Sequence, residues 1–131
     1  MTQKVFLSRF LKSHRNAVII GSLGTISKDL SELDNNGNKL ILIRGAMGSV
    51  MGIGLGYALF SKKKVYVLIG DGAFLMKAGS MATIKKYKPK NLQVIILNNG
   101  RHESCGGQPT NFNYFWNENF CSKWFKKKDI A

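Results

Sequence analysis

Val65-Tyr66-Val67-Leu68-Ile69-Gly70-Asp71-Gly72-Ala73-Phe74-Leu75-Met76 is the stretch whose reading decides the fold. Five apolar residues, rich in β-branched and aromatic types, lie between lysines and a glycine, as in a strand buried on both faces. Gly70-Asp71-Gly72 turns the chain, and helical spacing from Phe74 to Tyr87 predicts a helix. Leu92 to Leu97 then repeats the strand pattern and ends in Asn98-Asn99-Gly100. Upstream, the same alternation holds. Helices are predicted at Gln3–Ser13, Thr25–Leu33 and Met47–Phe60, with strands at Ala17–Ile20 and Leu40–Ile43. Strands alternating with helices argue an α/β fold: a doubly wound, mainly parallel sheet with helices on both faces and right-handed crossovers.

The 131 residues suit one domain, with 44% hydrophobic and 21% charged residues. That balance supports a core and excludes a disordered chain. The uncharged stretch from Gly45 to Ser61 is slightly short for a membrane span, and no cleavable signal precedes it, so no membrane association is expected. Cys105 and Cys121 are too few for a disulfide framework, which makes a reducing, cytoplasmic home the expectation. Cys105 reads as a small packing residue, and His14 as the end of the first helix. The net charge of +13 favours anionic partners, although its lysine runs are scattered. No aromatic-basic stripe or zinc-finger spacing supports nucleic-acid binding.

From Asn111 onward the chain changes character. Seven of its fourteen aromatics fall between Phe112 and Phe125, and no β-branched strand run follows. This tail either docks on a partner or is the altered end of a longer domain.

Ligands of open parallel sheets bind outside the carboxyl ends of the strands. There, Gly70-Asp71-Gly72 and Asn98-Asn99-Gly100 offer glycine-freed backbone N–H groups, a carboxylate and amide oxygens. Such hard oxygen donors suit magnesium, and with a helix beginning near Ala73 they suit a diphosphate. Alone, each tripeptide is an ordinary turn. Together they are specific, because the 25 residues from Ala73 to Leu97 hold one crossover helix and one strand.

This arrangement resembles the thiamine-diphosphate motif of the thiamine-dependent enzymes. The resemblance implies that Asp71, Asn99 and the backbone carbonyl of Arg101 bind Mg2+, and that Gly70, Gly72 and Ala73 lie against the cofactor diphosphate. Gly45-Ala46-Met47-Gly48 is similar to the loop that meets the aminopyrimidine. Met47 would wedge between the two rings, and the Gly45 carbonyl would accept from the exocyclic amine. Gly48, Gly52 and Gly56 recur every four residues, which would let their helix pack closely on a neighbour. The first loop, Gly21-Ser22-Leu23-Gly24-Thr25-Ile26-Ser27, is less faithful. Leu23 stands where a hydroxyl residue is expected, and Gly24 and Ser27 remain candidate contacts alongside a simple helix cap.

Leu97 to Thr110 narrows the resemblance to phosphonopyruvate decarboxylases and sulfopyruvate decarboxylase β subunits. It covers residues 1–110 as a diphosphate-binding domain and sets residues 111–131 apart as an atypical tail. Four strands are visible where the family has six, so the last strands are expected to be lacking. The implied substrate is a small anionic 2-oxo acid such as 3-phosphonopyruvate, with sulfopyruvate as the alternative. His102 is the candidate catalytic residue, with Glu103 and Gln108 as weaker ones. The family's activating glutamate comes from a separate pyrimidine-binding domain. None of Asp29, Glu32, Asp34, Asp71, Glu103, Glu118 or Asp129 is placed to replace it. A pyrimidine-domain partner subunit is therefore implied, with self-association also open. Another thiamine-enzyme subunit, acetolactate-synthase-like or ferredoxin-linked, and a non-catalytic cofactor-binding remnant are the remaining alternatives.

Overall fold

The computed structural model describes residues 1–117 and 123–131. Glu118, Phe120 and Cys121 lie outside the described residues. Helix α1 (Gln3–Ser13) starts at Thr2, whose hydroxyl accepts from the Val5 amide, and leads to strand β1 (Val18–Gly21). Helix α2 (Thr25–Glu32), strand β2 (Lys39–Leu42) and helix α3 (Val50–Leu59) follow. Strand β3 (Val65–Gly70) runs directly into helix α4 (Asp71–Met76), and helix α5 (Ser80–Tyr87) leads to strand β4 (Leu92–Asn98). A 3-10 turn (Glu103–Cys105), the single-turn helix α6 (Phe112–Phe115) and strand β5 (Phe125–Asp129) complete the order.

The five strands are parallel in the order β2-β1-β3-β4-β5, as an α/β doubly wound sheet requires. Alternate side chains of each strand feed two cores. On one face, Ile19, Leu68, Ile95 and Leu97 meet α1 and α2 through Leu7, Phe10, Leu11, Ile26 and Leu30. On the other, Val18, Ile20, Val67, Val94 and Ile96 meet α3, α4 and α5 through Met51, Leu55, Phe74 and Ile84. Among the described residues no helix is long and apolar enough to cross a membrane.

The turn-rich Asp34–Asn38 segment does more than turn. Buried Asn38 accepts from the Ala17 amide at 3.0 Å and donates to the Leu11 and Asn35 carbonyls. One amide thus ties the end of α1 to the start of β1 and β2, satisfying backbone groups that would otherwise be buried unpaired.

Three expectations are corrected. The single helix expected from Phe74 to Tyr87 is two helices, parted at Lys77–Gly79. Phe74 and Ile84 both enter the core, but ten residues of unbroken helix would set them about 80° apart around its axis. The break lets each segment turn its own anchor inward. The tail does hold a strand: β5 pairs with β4 from Val94↔Phe125 to Asn98↔Asp129. Its sequence, Phe-Lys-Lys-Lys-Asp, hides this because one buried row suffices at an edge, and lysines protect an edge from further pairing. Trp124 and Phe125 are buried, and Phe125 and Phe112 both pack edge-on against Phe74.

The third correction concerns α3. Its close packing on the sheet runs through Gly54, not through the Gly48, Gly52 and Gly56 series. A Cβ at Gly54 would lie 2.3 Å from Val67 Cγ2, whereas at Gly52 or Gly56 it would meet nothing within 4 Å. Gly54→Ala should therefore cost about 1–3 kcal/mol by overpacking. Gly52→Ala and Gly56→Ala should instead stabilise the chain by about 0.5–1 kcal/mol, through better helix propensity. Urea denaturation of the three variants checks the difference in sign.

Candidate functional site

Strand order reverses between β1 and β3: the chain leaves β1 toward β2 on one side and continues from β3 toward β5 on the other. The segments that follow these two strands diverge there and leave a cleft of about 90 Å3 at the carboxyl edge of the sheet. Its lining brings together Met47, Gly70, Asp71, Gly72, Ala73, Asn99, Arg101 and His102, eight of the residues singled out in the sequence. They come from three separate segments, the loop before α3, the β3–α4 junction and the loop after β4, so only the fold gathers them.

Asp71 is the first residue of α4 and is only 2% exposed. One carboxylate oxygen accepts from the Thr110 hydroxyl. Among the described residues no cation pairs with it and no donor reaches its other oxygen. A carboxylate removed from water costs several kcal/mol unless charge or hydrogen bonds compensate it. Asp71 lines a cleft shared with Asn99, where a bound cation would compensate its charge. The donor set is carboxylate, amide and backbone oxygens, which fits Mg2+ rather than a metal that favours thiolate or imidazole.

The loop after β4 folds back over the start of α4. Arg101 and Pro109 form an isolated antiparallel bridge, and the Thr110 and His102 amides donate to the carbonyls of Gly100 and Gln108. Asn99 closes its own turn by accepting from the Arg101 amide at 3.1 Å, and its Nδ2 donates to Glu103 at 3.0 Å. The same Glu103 oxygen accepts from Arg101 Nε at 2.8 Å. The Arg101 carbonyl accepts from the Glu103 amide, leaving one lone pair free.

His102 lies across the start of α4. A Cβ at Gly72 would fall 2.6 Å from its Nδ1, so glycine at this position makes room for the imidazole. Gly48 serves the first turn of α4 in the same way, because a Cβ there would lie 2.8 Å from the Ala73 carbonyl oxygen. This contact brings the Gly45–Gly48 loop, and Met47 with it, against the cleft.

Four sequence candidates lie outside the lining. Ser27 is buried and turned inward, its hydroxyl donating to the Ser22 carbonyl at 2.6 Å and to the Gly21 carbonyl. It shapes the first loop rather than facing the cleft. Gly24 abuts Ser104, and the Gly45 carbonyl accepts from the Met47 amide in a local turn. Gln108 is likewise outside the lining, held near Gly106. Cys105, expected to pack inside, is an exposed thiol at the cleft rim, because the 3-10 turn that carries it is solvent-facing throughout.

Several residues were missed. Gln3 reaches the lining from α1, 19 positions before the first loop proper, with its amide donating to Asp29 at 2.8 Å. Thr110 meets Asp71 from 39 residues away. No periodicity or motif marks either one.

The chain from residue 20 to 131 matches the family described as thiamine pyrophosphate enzyme, C-terminal TPP binding domain. The chain belongs to this family. It therefore carries a thiamine-diphosphate-binding domain, the cofactor class that the loops after β3 and β4 suggested. It is 42% identical over 96 residues to a phosphonopyruvate decarboxylase of Streptomyces viridochromogenes, covering 73% of this chain and 24% of that protein. It is 38% identical over 93 residues to the sulfopyruvate decarboxylase subunit beta of Methanocaldococcus jannaschii, covering 71% of this chain and 49% of that subunit. The chain thus spans about a quarter of the one relative and about half of the other. A solved 2-oxoglutarate:ferredoxin oxidoreductase from Magnetococcus marinus superposes with a TM-score of 0.55 at 20% identity, over 70% of this chain and 30% of that one. At that identity the likeness concerns the fold alone.

The Gly72–His102 contact gives a direct check on the cleft. Gly72→Ala should lower stability by about 1 kcal/mol, within the overpacking range, and push the imidazole aside. In a His102→Ala background the same substitution should cost much less. A double-mutant cycle by thermal denaturation, with coupling of about 0.5 kcal/mol or more, would confirm the contact.

Proposed function

We propose that this chain is the diphosphate- and magnesium-binding half of a thiamine-diphosphate-dependent 2-oxo acid decarboxylase. Its substrate in this reading is 3-phosphonopyruvate, converted with uptake of one proton to phosphonoacetaldehyde and CO2. The carrying observation is the buried Asp71 carboxylate, paired with no cation among the described residues and sharing one cleft with Asn99. The phosphonopyruvate decarboxylase relatives, at 42% and 43% identity, favour this substrate class. The sulfopyruvate decarboxylase β subunits, of which the chain covers about half, favour sulfopyruvate as the second reading.

Bound thiamine diphosphate supplies a nucleophilic carbon and an electron sink for loss of CO2. The rest falls to the chain. Asp71, Asn99 and the Arg101 carbonyl hold Mg2+, and the Gly72 and Ala73 amides donate to the diphosphate at the first turn of α4. Met47 fills the cleft beside them. The His102 imidazole stands at the same edge, able to donate to an anionic substrate group or to transfer a proton. The net charge of +13 draws a dianionic 2-oxo acid toward the protein.

The activating glutamate belongs to a pyrimidine-domain partner subunit in this reading. Asp29 and Glu32 sit on α2, where Glu32 pairs with Lys4, and Glu103 is engaged by Asn99 and Arg101. The isolated chain is thus expected to bind cofactor without turning over substrate. Turnover of phosphonopyruvate by the chain alone, at about 1 per second or faster, would overturn the partner assignment. Adding the partner should produce the aldehyde, whose identity separates phosphonate from sulfonate chemistry.

The metal site is tested by calorimetric titration of the full chain with thiamine diphosphate, with Mg2+ and with EDTA. Binding should require Mg2+ and should be lost in Asp71→Ala. Equal binding by wild type and Asp71→Ala would remove Asp71 from the site.

A further inference from the structure

An asparagine side chain can present either its oxygen or its nitrogen, and a carboxylate either of two oxygens. A cation site built on Asp71 and Asn99 works only if something fixes which atom each presents. Both side chains are held by the loop after β4, through residues outside the Gly-Asp-Gly and Asn-Asn pairs. We propose that Thr110 and Glu103 are the positioning residues of this cation site, an inference that rests on the metal reading above.

Thr110 is buried, and its hydroxyl donates to Asp71 Oδ2 while accepting from the Phe112 amide at 3.4 Å. The hydroxyl has one proton, and the Phe112 amide already donates to its oxygen. Its proton therefore points at Asp71. With one lone pair of Oδ2 engaged, Oδ1 is the freer oxygen for a cation. The Thr110 amide is itself fixed on the Gly100 carbonyl, so the hydroxyl and the loop bearing Asn99 move together.

Glu103 does the same for Asn99. Its Oε2 accepts from Asn99 Nδ2, which orients the amide so that Oδ1 lies on the opposite side. Arg101 Nε shares that oxygen and holds the carboxylate in place. Oδ1 meanwhile accepts from the Arg101 amide, and an amide oxygen has a second lone pair for a cation. Glu103 is thus engaged on the loop itself, which accounts for this residue without a role toward substrate.

Partners that orient metal ligands typically change metal affinity by about 10–100-fold when removed. The full chain is titrated with Mg2+ at fixed thiamine diphosphate, following heat of binding and, separately, thermal unfolding without ligand. Thr110→Val, nearly the same shape without the hydroxyl, should raise the Mg2+ concentration for half-maximal cofactor binding about tenfold. Thr110→Ser, which restores a hydroxyl, should recover most of that loss. Glu103→Gln keeps an acceptor for Asn99 and should stay near wild type, whereas Glu103→Ala should weaken Mg2+ about tenfold.

Unchanged Mg2+ dependence in Thr110→Val and Glu103→Ala, with binding lost in Asp71→Ala, would overturn the positioning roles and leave the metal reading standing. Equal losses in Glu103→Gln and Glu103→Ala would show that Glu103 acts by charge, and would overturn its part. If Thr110→Val fails to fold, Thr110→Ser and the Glu103 pair decide the matter. Absence of Mg2+-dependent binding in the wild-type chain would overturn the reading of the site and this inference together.

Discussion

A carboxylate buried at the junction of a strand and a helix is the constraint around which the molecule is arranged. β3 passes into α4 with no intervening loop, so Asp71 enters the interior as soon as the chain turns. Charge in that position costs several kcal/mol unless partners surround it. Among the described residues the Thr110 hydroxyl is the one partner it meets, and Asp71 lines the cleft. The glycines beside it follow from the same crowding. Gly72 makes room for His102, and Gly48 lets the loop before α3 approach the Ala73 carbonyl.

Fold class was legible because buried parallel strands write themselves as short apolar runs, and Val65–Ile69 and Leu92–Leu97 are unambiguous. The loops of the site were legible for a related reason. Asp71 and Asn99 are chemically conspicuous, and one helix plus one strand is the spacing that brings them to the same edge. β5 was not legible. Its pairing partner β4 is remote in sequence, and a row of lysines carries no apolar alternation. Nor was the break at Lys77–Gly79, which answers to where Phe74 and Ile84 must point rather than to any strong breaker.

Gly54 and Thr110 were missed for a more general reason. A glycine in a Gly-rich helix is informative only once the surface opposite it is known, and Val67 supplies that surface from the next strand. Ser27 errs the other way. A hydroxyl at the first turn of a helix after a strand looks available, yet its position beneath the loop spends it on the Ser22 carbonyl. Residue type and spacing predict what a side chain could do, whereas its direction depends on the packing around it.

The aromatic tail is tied to the site more closely than its composition implies. Thr110, which holds Asp71, also caps the Phe112 amide, and Phe112 packs against Phe74, the core anchor of α4. At the other edge, Asn98 donates to both Asn113 and Asp129, joining the end of β4 to α6 and β5. Asn98 is buried, and its side-chain Oδ1 has no hydrogen-bond partner among the described residues, so this junction carries a further unmet polar demand beside Asn99. The segment therefore contributes buried aromatic surface, worth about 1.5–3 kcal/mol for each fully buried phenylalanine, and restrains both sides of the loop that bears Asn99. Removing β5 would expose the β4 edge and release Asn98, so loss of sheet stability and loss of loop order would come together. The unit that orders the site thus extends from β1 to the end of β5, and includes the stretch whose sequence least resembles a strand.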